Sequence, residues 1–292
     1  MSDQPTPSRL GTGFGTPSPA LRLRCGMGPP PVNVDPLTPA SAPRLSRTVH
    51  DWLLPGHGLR TGEYTLAGFS EAASHAGGDH YDWLELDDGR LLVTLADVSG
   101  HGLESAIVTA ACRAYARAVL TGAEPLPEQM RRLNEWVCRD LPDGRFVTFV
   151  ACVLDPRAHT AEILSAGHGP YFVVRGRTNH VRAHGAHGLP LGVEAETPYL
   201  ETLRVQLDPT DALVLISDGF VEVASRDREW LGVDRFADAL SHVASASPLG
   251  MIEAARASAS AFADGQPPRD DMTMVVVKRD ADPPPSARAP MS

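Results

Sequence analysis

Five aspartates at the borders of apolar segments are the side chains best suited to chemistry in this chain: Asp79, Asp97, Asp218, Asp270 and Asp271. Asp97 follows the apolar run LLVTLA and precedes the glycine-rich turn SGHG, and Asp79 follows two consecutive glycines. A glycine-rich turn after a buried strand holds an acidic group in place and leaves space for a ligand. We therefore expect a functional site at these turns.

Asp79 and Asp97 lie at the two ends of a predicted β-hairpin. Residues 81–86 are apolar and aromatic, Asp88-Gly89 is a strong hairpin signal, and residues 91–96 form a nearly uninterrupted apolar strand. Because a hairpin brings its ends together, the two carboxylates should lie close in space. They then repel each other unless a proton or a cation lies between them. A divalent cation is the more specific interpretation, and the alternative is that each aspartate caps a turn.

The same arrangement recurs at two distant turns, Ser217-Asp218-Gly219 and Arg269-Asp270-Asp271. Carboxylates without His or Cys select hard cations, Mg²⁺ or Mn²⁺ rather than Zn²⁺. Two such ions about 3.5–4 Å apart can share one carboxylate and activate water near neutral pH. The reaction suited to this chemistry is in-line hydrolysis of a phosphoester. No Cys or Ser nucleophile motif is evident in the sequence.

Histidines in turns are weaker candidates. His168 lies in the turn AGHGP and is a candidate phosphate-facing or ligand-supporting group, with a purely structural role as the alternative. Three more histidines lie within residues 176–190: His180, His184 and His187. Histidine clusters can form zinc sites, but nothing in the sequence fixes the spacing of these three and no Cys is near. We therefore predict a solvated loop there.

The elements that must position these residues are buried strands and amphipathic helices. Besides the hairpin, we predict strands over residues 63–69, 145–154, 161–165, 171–174, 211–217 and 272–278, and helices over residues 105–120, 126–141, 233–243 and 248–263. Hairpins outnumber regular βαβ repeats in this order. That favours antiparallel sheets covered by helices, an α+β layered sandwich.

Composition limits the classes of function. The chain has 292 residues and a formal net charge of -10, which argues against general nucleic-acid binding. No apolar run reaches the roughly 18 residues of a membrane span, and the N-terminus lacks a signal-peptide pattern. We therefore expect a cytoplasmic protein with no membrane partner. The four cysteines show no CxxC spacing, which favours free thiols in a reducing compartment.

The two ends differ in composition from the rest of the chain. Residues 1–45 are dense in Pro, Ser, Thr and Gly, and residues 280–292 have the same character. Such segments bury too little apolar surface to offset the entropy of ordering. We predict disordered tails over 1–45 and 280–292 and a single domain over 46–279.

Seven motifs occur in the order GGDHYDW, ADVSGHGLESA, FVTFVACVLD, SAGHGP, GLPLGV, LISDGFVE and DDMTMVVVK. Together they resemble the PPM metal-dependent serine/threonine phosphatases, most closely the bacterial SpoIIE and RsbU branch, over roughly residues 49–279. The resemblance implies a four-layer αββα sandwich, with two antiparallel β-sheets flanked by helices. It also implies a two-metal site at one edge of the sheets.

The resemblance assigns a role to each catalytic aspartate. Asp79 would ligate one Mn²⁺ or Mg²⁺ ion, and Asp97 would bridge two ions. The backbone carbonyl of Val98 would be a further ligand. Asp218 and Asp270 would hold the second ion.

Three further positions bear on the implied ligand set. Asp271 follows the last implied ligand, and we rank it behind its neighbour as a metal ligand. His80 stands where this branch usually has an aromatic residue, and we expect no catalytic role for it. Eukaryotic members also carry a phosphate-binding arginine upstream of the first ligand, and no counterpart is evident here.

The resemblance implies a protein phosphatase in a partner-switching pathway that regulates a bacterial sigma factor. In this branch the substrate is phosphoserine or phosphothreonine on a small STAS-domain anti-anti-sigma factor. Further expected partners are a regulatory protein, acting through residues 1–50, and a second copy in a homodimer. Two alternatives stay open: a catalytically weak phosphatase-fold binding protein, and a metal phosphoesterase of small molecules.

Overall fold

The computed structural model describes residues 53–56, 58–73, 77–100, 102–142 and 144–281. Within these residues the chain forms eleven β-strands and four α-helices. No helix in this part of the chain is both long and apolar enough to cross a bilayer. The predicted tail over 1–45, and most of the one over 280–292, lie outside the described residues, so the domain bounds stay predictions.

The strands are short and the helices span about three to five turns. In chain order the strands are β1 (Gly58–Thr61), β2 (Tyr64–Glu71), β3 (Asp79–Glu85), β4 (Leu91–Val98), β5 (Val147–Asp155), β6 (Thr160–Ala166), β7 (Tyr171–Arg175), β8 (His180–His184), β9 (Leu203–Gln206), β10 (Ala212–Ile216) and β11 (Met272–Arg279). The helices are α1 (Leu103–Val119), α2 (Leu126–Asp140), α3 (Gly232–His242) and α4 (Pro248–Ala263), and a 3₁₀ turn spans Asp218–Phe220.

The strands form two antiparallel sheets. One sheet has six strands in the order β1-β2-β11-β10-β7-β8, and the other has five in the order β3-β4-β5-β6-β9. The long connection between β4 and β5 contains α1 and α2, and that between β10 and β11 contains α3 and α4. Each helix pair therefore belongs to a different sheet.

Alternation along β4 shows how the layers stack. Leu91, Val93 and Leu95 point into the core between the two sheets, where they meet side chains of β2, β10 and β11. Leu92 and Ala96 point the opposite way and pack with side chains of α1 and α2. The outer face of the six-stranded sheet packs in the same manner against α3 and α4. These layers confirm the predicted α+β class and the four-layer αββα sandwich.

Most predicted elements are present, with ends shifted by at most two residues. The solvated loop predicted over 176–190 was wrong in part, because His180–His184 forms the edge strand β8, which pairs with β7. The strands Gly58–Thr61 and Leu203–Gln206 were not predicted. All three are sheet edges or next to one, so their side chains are half-exposed and lack the apolar run of a central strand.

Candidate active site

Asp79 and Asp97 face each other across the β3–β4 hairpin. They are directly paired in the antiparallel register, which places side chains of this kind about 5 Å apart at their Cβ atoms. The register is set by the turn, where the amide of Gly89 donates to the carbonyl of Leu86 (2.8 Å) and Gly89 has a φ of 83°. Tyr81, two residues after Asp79, points into the core between the sheets. Both carboxylates therefore lie at the edge of that core, and their predicted proximity is confirmed.

Burial and mutual repulsion perturb both carboxyl groups. Asp79 is 1% exposed, and its Oδ2 atom accepts no hydrogen bond within the described part of the chain. Burial, followed by the negative charge of Asp97, raises the pKa of Asp79 well above its ordinary value. The pKa of Asp97 is raised to about 7 by burial and by the charges of Asp218, Asp270 and Asp271. Carboxylates distant in sequence are thus close enough to repel one another.

Asp218 arrives from the other sheet. It stands just after β10, and its carbonyl accepts the amides of Val221 and Glu222 (both 2.8 Å), which closes the 3₁₀ turn. The pKa of Asp218 is raised to about 6, first by burial and then by the charge of Asp270. Gly219 is required here because a Cβ atom would lie 2.1 Å from the carbonyl oxygen of Asp271. This close approach brings the 3₁₀ turn against the start of β11.

Asp270 and Asp271 are adjacent but have different surroundings. Asp270 is exposed, whereas Asp271 is 8% exposed. The carboxylate of Asp271 accepts the amide of Ala73 at Oδ1 (2.9 Å) and the amide of Gly78 at Oδ2 (2.7 Å). Its carbonyl accepts the Ser217 hydroxyl (3.0 Å). Asp271 therefore fastens the segment before Asp79 to the strand before Asp218, while Asp270 faces outward at the same corner.

The carbonyl of Val98 lies directly against Gly78. A Cβ atom on Gly78 would lie 2.6 Å from the Val98 oxygen and 3.2 Å from Oδ1 of Asp97. The amide of Val98 donates to the carbonyl of Gly78 (3.2 Å), and the Thr109 hydroxyl of α1 donates to the same carbonyl (3.0 Å). Gly78 thus leaves the space in which the Val98 oxygen and the Asp97 carboxylate lie, and Gly77 leaves space for the carboxylate of Asp271, whose Oδ2 would lie 2.6 Å from a Cβ there.

His168 links the two sheets below the acidic corner. Its Nε2 donates to the carbonyl of Ile216 (2.9 Å), two residues before Asp218, and its Nδ1 accepts the hydroxyl of Thr148 (2.9 Å). Thr148 is paired directly with Asp97 in the β4–β5 register. Burial lowers the pKa of His168 to about 4. The ring is therefore a neutral bridge that helps to fix the distance between Asp97 and Asp218, which agrees with the ligand-supporting alternative.

Three other described histidines, His80, His184 and His187, have packing contacts or lie on the opposite face of a strand. His80 is buried and paired with Ala96; as the next residue after Asp79 in β3, it projects toward the opposite face of the strand. The His184 ring stacks on Tyr171 with centroids 5.4 Å apart. The phenol of Tyr171 also lies 3.0 Å from Nε2 of His187. These contacts give His184 and His187 a packing role, and the described part of the chain shows no grouping of three metal-ligating side chains there.

The described residues offer oxygen donors but no preformed cage. No group of three or more His, Cys, Asp or Glu side chains in this part of the chain is arranged to hold a metal ion as it stands. The donor set nevertheless fits a hard divalent cation. It consists of carboxylates and a carbonyl, includes the unpartnered Oδ2 of Asp79, and carries repelling charges that raise two pKa values to about 6 and 7. A cation is the group that relieves that repulsion.

Two residues around the corner were not predicted. Ser217 donates to the Asp271 carbonyl and accepts the amide of Thr273 (2.9 Å), so it joins β10 to β11 beside Asp218. Thr148 positions His168 from β5. The available signal for Ser217 was its place between an apolar strand and an acidic turn. Thr148 carries no local signal, because its importance arises from pairing across strands.

Comparisons with known proteins show what the chain is similar to. The family model for Stage II sporulation protein E (SpoIIE) matches residues 87–280. The SiaA-PP2C domain of Pseudomonas aeruginosa has the same fold, with a TM-score of 0.68 at 22% identity, over 83% of this chain and 96% of that one. A Mycobacterium tuberculosis structure with RsbU and RsbW domains gives a TM-score of 0.64 at 26% identity, over 76% of this chain and 61% of that one.

Phosphoserine phosphatase RsbP of Bacillus subtilis is similar over a shorter region. It is 26% identical over 106 residues, which covers 35% of this chain and 26% of RsbP. Protein IcfG of a Synechocystis strain is 23% identical over 239 residues, covering 37% of its own length. The chain therefore spans well under half of the curated relatives it matches.

Proposed function

Because the chain belongs to the Stage II sporulation protein E (SpoIIE) family, we propose that it is a metal-dependent phosphatase of phosphoserine and phosphothreonine in proteins. Membership confirms the resemblance drawn from the seven sequence motifs. The observation that carries the proposal is the convergence of Asp79, Asp97, Asp218 and Asp270 at one corner of the two sheets. Their repulsion is evident in the raised pKa values of the first three.

Each residue at the corner has a role in this proposal. Asp79 and the Val98 carbonyl would hold one ion, Asp218 and Asp270 would hold a second, and Asp97 would contribute to holding both. When bound, Mn²⁺ or Mg²⁺ neutralises phosphate oxygens and lowers the pKa of water. Asp271 acts as a positioning residue, because both of its carboxylate oxygens already accept backbone amides.

The side chains of the described residues supply no nucleophile at this corner. The Ser217 hydroxyl is engaged on both sides, donating to the Asp271 carbonyl and accepting the Thr273 amide. The thiols of Cys112 and Cys152 are buried, and burial raises the pKa of each to about 12. Direct attack of water on phosphorus, in line with the leaving hydroxyl, is therefore the proposed reaction. The chain's own contribution is to orient the phosphate and hold the cations.

The proposal also includes a substrate and a pathway. RsbP is named a phosphoserine phosphatase, and the mycobacterial relative combines an RsbU domain with an RsbW domain. These names support a partner-switching role, with a phosphorylated STAS-domain anti-anti-sigma protein as the substrate. A regulatory protein partner, a homodimer and a cytoplasmic location belong to the same proposal.

Metal-dependent hydrolysis of p-nitrophenyl phosphate tests the activity. We expect turnover with Mn²⁺ or Mg²⁺, loss of turnover in EDTA, and recovery when metal is restored. Asp218→Asn should lower kcat at least a hundredfold, since it removes a charged ligand. The exposed Asp87→Asn is the matched control and should behave as wild type.

Three outcomes contradict the proposal or part of it. Turnover unaffected by EDTA, or wild-type turnover by Asp218→Asn, contradicts the assigned site. A folded wild-type protein that hydrolyses no phosphoester with either metal is a binding protein rather than an enzyme. A preference for free nucleotides over a phosphorylated STAS protein assigns the chain to small-molecule phosphoesterases.

A further inference from the structure

A cleft of about 330 Å³ opens beside the acidic corner. It lies between α4, the segment 221–232 that follows the 3₁₀ turn, and the segment 265–270 that leads to β11. Gly219 and Asp270 line the cleft and also belong to the candidate active site. A ligand bound in the cleft is therefore continuous with a phosphate bound at the corner.

Trp230 forms a firm wall of this cleft. Its side chain is 56% exposed, although indole is among the largest apolar groups in proteins. Its backbone is held in a short hairpin, because Ala224 and Trp230 form an antiparallel bridge and the amide of Leu231 donates to the Val223 carbonyl (2.9 Å). Arg235 also donates to the Trp230 carbonyl (3.0 Å). A rigidly held, exposed aromatic beside an active site is typical of a binding surface.

The rest of the cleft is mixed in character, with apolar walls and paired charges, and carries little net charge. The guanidinium of Arg256 pairs with Glu71 (3.1 Å) and stacks over a phenylalanine ring at 4.2 Å, so its charge is already compensated. Glu222 and Arg269, which also line the cleft, have opposite signs. The remaining walls include Val223, Ala259, Ala263, Pro267, Pro268 and Met272. Beside Trp230, these apolar walls offer contacts to a hydrocarbon side chain, whereas the paired charges and the carboxylate of Asp270 leave no net attraction for a second phosphate.

We propose that the cleft binds a large apolar side chain of the phosphoprotein substrate, a few residues from the phosphorylated serine or threonine. The proposal rests on the proposed function and adds a determinant of substrate choice to it. An extended peptide advances about 3.3 Å per residue, so a side chain one to three positions away reaches the cleft when the phosphate lies at the corner. Burial of that side chain against Trp230 favours substrates that carry it.

Phosphopeptides that differ at one position give the direct test. The probes are alanine-based phosphoserine peptides with Leu, Ala, Lys or Asp placed in turn at the three positions on each side of the phosphoserine. The measured quantity is kcat/KM with Mn²⁺. p-Nitrophenyl phosphate serves as the control substrate, because it has no neighbouring peptide side chain to place in the cleft. At one or more positions, we expect Leu to exceed Ala by about tenfold, the discrimination usual for an apolar pocket.

Two variants change the cleft in opposite ways. Trp230→Ala removes its aromatic wall, and Ser260→Trp fills it from an exposed position of α4. Both should abolish the preference for Leu and leave turnover of p-nitrophenyl phosphate within about twofold of wild type. Leu249→Ala and Ala261→Trp, at exposed positions of α4 that do not line the cleft, are the matched controls and should retain the preference.

The outcomes of these tests distinguish a failure of the cleft proposal from a failure of the proposed phosphatase function. A wild-type protein that hydrolyses p-nitrophenyl phosphate but prefers Ala, Lys or Asp peptides overturns the cleft proposal alone. So does a preference for Leu that survives both variants. If Trp230→Ala instead halves the molecular mass measured by light scattering, the cleft is covered by a second copy of the chain. A wild-type protein that hydrolyses no probe overturns the proposed function, and the cleft proposal with it.

Discussion

Replacing Asp97 with asparagine tests whether the acidic corner is under electrostatic strain when no metal is bound. The pKa of Asp97 is raised from 3.8 to about 7, chiefly by burial and by the charges of Asp218 and Asp270. Each pH unit between those values is worth about 1.4 kcal/mol, so ionised Asp97 destabilises the metal-free fold by roughly 4 kcal/mol. Asparagine removes the charge but leaves a buried amide. We therefore expect Asp97→Asn to stabilise the metal-free fold by about half of that amount, roughly 2 kcal/mol.

The sign of the pH dependence follows from the raised pKa. Between about pH 4 and pH 7 the folded state binds more protons than the unfolded state, so the stability of the metal-free protein falls as pH rises through this interval. The stabilising contribution of protonated Asp97 is fully present below about pH 4 and is lost above about pH 7. Asp97→Asn should weaken this dependence, and the raised pKa values of Asp79 and Asp218 should account for what remains. The stability of wild type and variant should thus converge near pH 5 and differ most at pH 8.

Thermal unfolding in EDTA at pH 5 and pH 8 measures these differences. For a domain of this size, roughly 2 kcal/mol raises the Tm by about 4–8 °C at pH 8. Adding Mn²⁺ should reverse the order, because wild type gains the free energy of metal binding and the variant loses most of it. Asp82→Asn is the control: it weakens the ion pairs of the buried Asp82 carboxylate with Arg113 and Arg117 and should lower the Tm at both pH values. A metal-free Asp97→Asn protein less stable than wild type at pH 8 would refute the reasoning.

Two further substitutions test the parts that hold the corner together. His168→Ala removes hydrogen bonds to both sheets and should cost about 2 kcal/mol of unfolding free energy, with a several-fold rise in the Mn²⁺ concentration for half-maximal activity; unchanged metal dependence would make the residue purely structural. Gly78→Ala places a Cβ atom 2.6 Å from the Val98 carbonyl oxygen and should raise the same Mn²⁺ concentration at least tenfold. Gly185→Ala, where a Cβ meets nothing within 4 Å, is its control, and equal behaviour of the two variants would contradict the role of Gly78.

The pairing of Asp79 with Asp97 was predictable because one local signal fixes it. Asp88-Gly89 sets the turn, and the apolar run of β4 sets which face is buried, so the register follows. The edge strand β8 escaped prediction because three of its five side chains are exposed and none forms an apolar run. It exists through backbone pairing with β7, which leaves little trace in side-chain pattern.

The different surroundings of Asp270 and Asp271 could not be predicted from the sequence pattern. Adjacent aspartates have the same intrinsic chemistry, and only the fold shows that Asp271 is buried against Ala73 and Gly78, nearly two hundred residues away in sequence. The ranking of Asp271 behind Asp270 as a metal ligand, which came from the resemblance, stays a prediction. The bridge made by His168 has the same character, because its two partners come from different sheets.

The aspartates that would bind cations at the corner also destabilise the metal-free fold. Like charges at directly opposite positions of an antiparallel pair are destabilising, and here Asp79 and Asp97 are also buried. Compensating arginines would relieve this repulsion, yet Arg113 and Arg117 of α1 pair with Asp82, on the helix-facing side of β3. On the inner face, burial and the neighbouring aspartates raise the pKa values of Asp79 and Asp97 instead. A bound divalent cation would relieve that repulsion and lower both pKa values, which is the stabilisation that the proposed metal site predicts.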